Sequence, residues 1–481
     1  MRNKDTRLIG NFGKNTSIFI FTFMVIGSLT FGQNERRGRQ EDANRKKPGY
    51  FQTDVPAQEY NIILSRPTDH QVTISLVANE NLKGYFEYGK NPKALTQKTE
   101  MQTFEVDKKK EIILGNLERN THYFYRLVYH KNGNQEEKKS DVHFFQTQRN
   151  PGTQFSFTIQ ADSHLDENAD TKIYTRTLQN MAADSADFLI DLGDTWMTDK
   201  YRNDYKESIK QYIAQRYYFG LVCHSSPLFL VLGNHDGESA REMANWAIAT
   251  REKYYSNPSP DGFFSGNMEK TENGSYKENY YSWEWGNALF MVLDPFRYTP
   301  DNRDPWQRSL GSEQYNWLKN TLQKSKAKLR FVLIHNLVGG ADNNGIARGG
   351  IEAARFFEWG GLNADSTKGF SSHRPGWEKP IHDLLVQYKV SAVIHGHDHV
   401  FVKQNMDGII YQVLPQPGSQ RYGNTNSATE YGYKSGIIMN APGYLRVTVK
   451  GNTAKVDYVQ TSIDAEHKNG EILHSYQISA N

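Results

Sequence analysis

The sequence holds one cysteine, Cys223, in 481 residues. A single thiol excludes an intramolecular disulfide, a cysteine zinc knuckle and a cysteine-ligated cluster. Cys223 reads instead as a small buried hydrophobe beside an apolar run. An excess of charge of one sign is missing too: 57 Lys+Arg stand against 54 Asp+Glu, a formal net charge of +3. The first 32 residues carry Arg2, Lys4, Arg7 and Lys14 against Asp5 alone, so the remainder is balanced. A neutral chain gives no electrostatic footing for nucleic acid, which needs clustered positive charge. Hydrophobic runs long enough for a membrane span are also absent. Ile18–Phe31 has 14 residues, short of the roughly 20 that cross a bilayer as a helix. Preceded by basic residues and followed by small Thr30 and Gly32, it reads as a signal peptide over residues 1–32, cleaved after Gly32. No cysteine follows, which excludes a lipoprotein anchor and leaves no stable membrane span after cleavage. Export without disulfides points to a bacterial periplasm or secretion from the cell.

Aromatic residues are plentiful: Tyr 28, Phe 25 and Trp 8. That many rings fill a sizeable core, so wholesale disorder is excluded. Residues 33–54 are polar and without period, a flexible linker. From 55 to 148 short β-rich runs recur between turn formers: EYNIIL, QVTISLV, KGYFEYG, MQTFEV, EIILG, HYFYRLVY and HFFQT. This is the pattern of a small β-sandwich. In LERNTHYFYRLV, Leu117, Thr121, Tyr123 and Tyr125 alternate inward, and a tyrosine there is placed to tie its hydroxyl back to the preceding corner. From 152 to 465 the texture changes to an α/β pattern. Five apolar runs each end in a polar cluster: FSFTIQ before ADSH, DFLIDL before GD, LFLVL before GNHD, RFVLI before HN, and SAVI before HGHDH. Stretches such as IYTRTLQNMAADS read as helices between them. The later runs YYSWEW, ALFMVLD, GIIYQVL, YLRVTVK and KVDYVQ suggest a second sheet against the first. Asn279, Tyr280 and Tyr281 read as core.

Polar residues at carboxyl ends of strands sit where α/β sheets place active sites. The clusters hold Asp162, His164, Asp194, Asn234, His235, Asp236, His335, His397 and His399. Taken singly, none is specific. Together they form an oxygen and nitrogen donor set without sulfur, suited to a pair of Mn, Fe or Zn ions rather than to structural zinc.

In their order, the blocks D-x-H, G-D, G-N-H-[DE], H and G-H-x-H resemble the calcineurin-like metallophosphoesterase superfamily over about Phe155–Gln460. The sandwich resembles a fibronectin type III-like module, like the domain that precedes purple acid phosphatases. The resemblance implies an α/β fold: a four-layer α/β/β/α metallophosphoesterase domain after the sandwich, with two divalent metal ions at one rim. Asp162, His164 and His399 would hold one ion, Asn234, His335 and His397 the other, and Asp194 would bridge them. Two divalent ions, two aspartates and a hydroxide leave net positive charge, which draws a phosphate ester. The implied activity is that of an exported phosphatase acting on small phosphorylated substrates, monoesters, by in-line attack of a metal-bridging hydroxide. His235 would protonate the leaving oxygen, and Asp236 would fix its tautomer. A phosphodiesterase or nucleotidase of this fold is the alternative, as is an inactive surface- or glycan-binding relative. All seven ligand positions are filled, which argues against the last.

One block departs from the purple acid phosphatases, whose second block is G-D-x-x-Y with a tyrosine on ferric iron. Here Met197 stands at that position, so a colourless enzyme with divalent ions is expected. The glycine-rich segment 336–380 reads as a surface insertion in which Arg348, Arg355, Lys368, His373 and Arg374 are candidates to grip substrate, with Trp359 and Trp377 to stack on a ring. Arg421 and Tyr422 are further substrate candidates.

Overall fold

The computed structural model describes residues 51–134, 136–166, 168–201, 205–239, 243–296, 304–339 and 348–480. The expected signal peptide, most of the linker and residues 340–347 of the glycine-rich segment lie outside these.

The first runs pair into two sheets. Tyr60–Ser65, Val72–Ala78 and Lys109–Leu114 make one. Leu82–Gly89 and His122–Lys131, with short flanking strands, make the other. Period-two alternation turns Tyr123, Tyr125, Leu127 and Tyr129 inward against Ile62, Leu64 and Phe86. The Glu118 amide donates to the Tyr123 hydroxyl at 3.0 Å, which ties the corner before that strand. Residues 51–53 are not free linker. The Phe51 amide donates to Glu207, the Gln52 amide to Asp166 at 3.0 Å, and the Thr53 hydroxyl to Asp166 at 2.7 Å.

Alternation also explains the near-continuous apolar strands that follow. Ala288, Phe290 and Val292 face one core while Leu289 and Met291 face another, because both sides of the sheet are covered. The six-stranded sheet runs Leu228–Leu230, Leu189–Asp191, Phe155–Gln160, Gly443–Lys450, Thr453–Gln460 and Ile472–Ser479. The eight-stranded sheet is built around parallel strands Ala288–Val292, Leu329–Leu333, Ala392–His395 and Ile409–Val413. The two sheets share one aromatic core, in which Phe157, Phe188, Phe229, Trp283 and Phe290 interlock. Helices Thr171–Ala183 and Tyr205–Cys223 cover the outer face of the first sheet, and Gly311–Lys324 and Ile381–Gln387 that of the second. The result is α/β/β/α.

The partition of strands corrects the sequence reading. YLRVTVK and KVDYVQ join the first sheet, where Gly443–Lys450 pairs antiparallel with Phe155–Gln160. RFVLI and SAVI belong to the second. The first sheet also continues past 465 with the strand Ile472–Ser479. Chain order hides this division, since a strand's sheet is set by tertiary pairing. Among the described residues no helix is long and apolar enough to cross a membrane. Cys223 is buried, as expected.

The sandwich and the α/β body lie in one compact unit, Lys46–Asn481. Arg216, fully buried, donates from Nη2 to the Ser75 carbonyl at 2.9 Å, and Asn61 Nδ2 donates to the Arg216 carbonyl at 2.7 Å. Glu111 lies in the same seam, 2.9 Å from Lys109 Nζ and 3.3 Å from Arg66 Nη1. Burial by itself would raise its carboxyl, but Lys109 and Arg66 outweigh burial and hold its pKa at about 2. A carboxyl with a lower pKa folded than unfolded stabilises the fold above its unfolded value near 4.5, and that contribution is lost as pH falls through about 2. Glu111→Gln is expected to unfold at lower urea than wild type at pH 7. The gap should close as pH drops from about 4.5 to about 2; a pH-independent gap would show that the carboxylate's charge does not hold the seam.

Candidate metal centre

Three of the polar blocks follow strands of the first sheet and two follow strands of the second, so the site forms at the rim where both sheets end. The chain turns abruptly there. Asp162, His164, Asp194, His397 and His399 all have positive φ, from 43° to 74°. Left-handed backbone at a non-glycine residue costs about 1–3 kcal/mol and persists only where the surroundings impose it. The turns bring blocks distant in sequence into contact. A Cβ on Gly396 would lie 2.6 Å from Asp162 Oδ2, so that glycine permits the approach of two loops.

Backbone amides then fix the carboxylates. The His397 amide donates to Asp162 Oδ2 at 2.8 Å, and the His235 amide to Asp194 Oδ1 at 2.8 Å. In each case one oxygen is tied and the other faces the site. Asp194 Oδ2 stands 3.3 Å from His164 Nε2 and 3.3 Å from His335 Nε2. Asp162 Oδ1 is 3.4 Å from His399 Nε2 and 3.8 Å from His164 Nε2. Asn234 Oδ1 is 3.1 Å from His335 Nε2. Donor atoms of Asp162, His164, Asp194 and His399 lie within 4.8 Å of one another, as do those of Asp194, His335 and His397. Asp194 belongs to both groups.

Three atoms test whether this set fits a cation. Asp162 Oδ1 and both ring nitrogens of His397 are buried with no hydrogen-bond partner. Burying unpartnered polar atoms is costly, and a cation would satisfy them. The set fits. The His335 ring is aimed by its other nitrogen, since Nδ1 donates to the Leu192 carbonyl at 2.8 Å and turns Nε2 inward. Charge states at Asp194, His397 and His164 suit ligation, whereas burial at His335 is outweighed by Asp194 and Asp162, which raise it to about 10, so a cation would bind there by displacing a proton. Burial would raise Asp194, but His335 and His235 outweigh it and hold the carboxyl well below the usual range. Burial, with Arg348 nearby, pushes His397 well down, so its imidazole is neutral. Burial and the neighbouring His399 lower His164 to about 4.

His235 corrects one expectation. Its Nδ1 lies 2.9 Å from both carboxylate oxygens of Asp199, not against Asp236. Asp236 instead accepts from the amides of Gly233, Asp194 and Trp196 at 2.6, 3.2 and 2.8 Å. It knits the second and third blocks together; it does not orient the imidazole. Asp199 was missed in the sequence, five residues past Asp194 in a short turn, Thr198–Lys200. The only signal was an acid just beyond the G-D block. His235 Nε2 is left facing the site, 4.0 Å from Asp194 Oδ2. Burial lowers the imidazole's pKa, but Asp194 and Asp199 outweigh it, and the net shift is upward.

A sequence profile of calcineurin-like phosphoesterases matches residues 140–401. The chain belongs to the calcineurin-like phosphoesterase family. It is a metal-dependent phosphoric ester hydrolase. No curated protein matches it in sequence. Among solved structures it is similar to PhoD, with TM-score 0.60 and 16% identity over 89% of this chain and 92% of that one. It is also similar to the purple acid phosphatase PPD1 from yellow lupin (Lupinus luteus) seeds, with TM-score 0.57 and 15% identity over 87% of this chain and 74% of that one. At these identities the likeness is one of fold.

Within this phosphoesterase, the expected substrate residues fare unequally. Arg348 stands beside the centre: Nη1 donates to the His397 carbonyl at 3.1 Å and to Asp398 Oδ1 at 3.2 Å, and the guanidinium lies 4.2 Å over the Tyr431 ring. Asp398 is itself held by the Gly349 amide and the Tyr433 hydroxyl, at 2.9 and 2.6 Å. Arg374 is engaged within the fold: its guanidinium is ion-paired with buried Glu358 and donates to the Trp306 carbonyl. His373 stacks on Trp306 at 4.3 Å, and Tyr422 stacks on His467 at 3.8 Å with its hydroxyl donating to the Thr461 carbonyl. Trp359 is buried against Tyr411, and Trp377 stacks on Tyr315 at 4.0 Å. The rings of Trp359, His373 and Trp377 pack the insertion onto the body. Arg355, Lys368 and Arg421 are exposed, and Arg421 lies near enough to Tyr431 to act on its hydroxyl electrostatically. Asn279, Tyr280 and Tyr281 are buried, and Met197 is buried with its amide donating to Gln211.

Ligands that bind only the folded chain raise its stability, by about 2.7 kcal/mol at a hundredfold excess over Kd. Metal-stripped protein is expected to gain several degrees of melting temperature on addition of Mn or Zn. Asp194→Asn should lose most of that gain. Equal gains in both proteins would place the bound ion elsewhere.

Proposed function

We propose that this phosphoesterase is an exported phosphatase that hydrolyses phosphate monoesters at a pair of divalent ions, Mn, Fe or Zn. In this reading Asp162, His164 and His399 hold one ion, Asn234, His335 and His397 the other, and Asp194 is shared. The observation that carries it is the equal 3.3 Å separation of Asp194 Oδ2 from His164 and His335, which sets one oxygen between two imidazole groups. Bound divalent ions supply Lewis acidity, making water nucleophilic near neutral pH and neutralising charge on the phosphoryl oxygens.

The protein's own groups do the rest. His235, held through Nδ1 by Asp199, presents Nε2 to the leaving oxygen and gives it a proton. Its raised pKa keeps that proton available. Arg348 holds a phosphoryl oxygen with the part of its fork not engaged by the His397 carbonyl and Asp398. With Met197 at the tyrosine position, a phenolate–iron colour is not expected. We read residues 1–32 as the export signal, 33–54 as a lead-in, 55–148 as a fibronectin type III-like module and 152–465 as the catalytic region. The run Ile18–Phe31 supports the export reading.

Metal-stripped protein reloaded with Mn, Fe or Zn should hydrolyse p-nitrophenyl phosphate faster than its bis ester. The reverse ratio would make the enzyme a diesterase, and no turnover with any ion would leave a binding protein. Replacing His235 by Asn should lower kcat on an alkyl ester such as glycerol phosphate by about 10²–10⁴ while metal content stays the same. Loss of metal instead would make His235 a ligand. For Arg348→Ala the expected change is in KM, upward by roughly tenfold or more for removal of a charged hydrogen bond, with metal content unaltered. A change confined to kcat would move Arg348 out of ground-state substrate binding.

A further inference from the structure

A chain of charged side chains runs from the sandwich to the loop that carries Asn234 and His235. It starts at Arg66, which follows the strand Tyr60–Ser65 with φ 49°. Arg66 engages three acceptors at once. Nε donates to the Asn257 carbonyl at 2.7 Å, Nη2 pairs with Glu278 at 2.9 Å, and Nη1 pairs with Glu111 at 3.3 Å. The other oxygen of Glu278 meets Arg251 Nη1 at 3.4 Å. Arg251 is wholly buried and grips both oxygens of Glu238, at 2.6 and 3.3 Å, while Nη2 donates to the Lys277 carbonyl at 2.6 Å. Glu238 is the third residue past His235. A second branch reaches the strand that leads into that loop. Asn257, whose carbonyl holds Arg66, exchanges side-chain hydrogen bonds with the backbone of Leu230 at 3.0 and 2.9 Å, four residues before Asn234.

We propose that Arg66, though part of the sandwich, is a positioning residue for phosphoester hydrolysis, holding the loop Gly233–Glu238 through Glu278, Arg251 and Glu238 so that His235 meets the leaving oxygen. Two features favour this over a purely structural role. Buried ion pairs are often no more stabilising than apolar packing of the same volume, so they are weak devices for stability alone. They are strong devices for geometry, because each guanidinium fork accepts few arrangements. The first branch ends on the segment that bears Asn234 and His235, and the second on the strand that leads into it. An error of about 1 Å at a catalytic group can lower turnover about a hundredfold.

The inference rests on His235 as proton donor, and the test separates the two. A leaving group that is already a weak base needs little protonation, whereas an alkoxide needs it fully. Metal-loaded Arg66→Met is expected to lower kcat ten- to hundredfold on glycerol phosphate, with much less effect on p-nitrophenyl phosphate. KM and metal content should not change. In a His235→Asn background the same substitution should cost nothing further, because its route is gone. Glu238→Gln should reproduce the pattern, and it carries the test should Arg66→Met not fold. Arg66→Lys should restore only part of the rate, since an ammonium's donors radiate from one nitrogen and cannot reach acceptors set apart around a guanidinium fork. Equal loss on both substrates, or loss that persists beside His235→Asn, would make Arg66 merely structural and overturn the inference. If His235→Asn itself leaves glycerol phosphate turnover intact, the reading of His235 falls first and the inference falls with it.

Discussion

Asp194 is the constraint on which the rest of the structure depends. Its carboxylate must face imidazoles from the first and fourth blocks together, and those blocks end strands of different sheets. Neither sheet alone could place them. The aromatic core between the sheets sets how far apart the two rims stand, so the packing of Phe157, Phe188 and Phe290 is part of the metal centre's geometry. The same demand explains the left-handed backbone at five of the ligand candidates. A strand end that continued smoothly would carry its side chain past the rim. Turning it back is costly locally, and the core packing offsets that cost.

The ligand candidates could be read in the sequence because each follows an apolar run by one to five residues. A strand end is a local feature, and five of them in order carry more than any one. The fold class was readable for the same reason. What lay beyond reach depends on contacts between segments far apart. Asp236 sits next to His235 in sequence, yet its carboxylate bonds the Asp194 and Trp196 amides, while Asp199, thirty-six residues back, holds the imidazole. Adjacency misleads in a tight turn, where successive side chains point different ways. The basic residues of the insertion show the opposite error. Arg374 looks like an anion grip in one dimension, but Glu358, sixteen residues earlier, neutralises it.

The sandwich changes meaning once these contacts are seen. From sequence it is a module of common type, separable from the chemistry. In the structure Arg216 reaches from the helix Tyr205–Cys223 into the sandwich strand at Ser75, and Arg66 reaches out of it to Asn257 and Glu278. Both arginines donate to backbone carbonyls, so they read shape rather than charge alone. A spacer would meet the body through exposed polar residues. This seam is made of guanidinium groups, Arg216 buried and Arg66 partly so, whose partners lie on both sides.

That seam bears on how the loop carrying Asn234 and His235 can be precise and yet lie outside regular structure. Loop Gly233–Glu238 has no strand partner of its own beyond Leu230. Its first half is fixed from within the centre, by Asp236 on three amides and by the His235 amide on Asp194. Its second half is fixed from outside, by Arg251 on Glu238. A cation can draw ligands together, but it cannot orient a histidine that does not bind it. Orientation of His235 must come from hydrogen bonds with directions of their own, and Asp199 and the loop's two anchors are the groups that supply them.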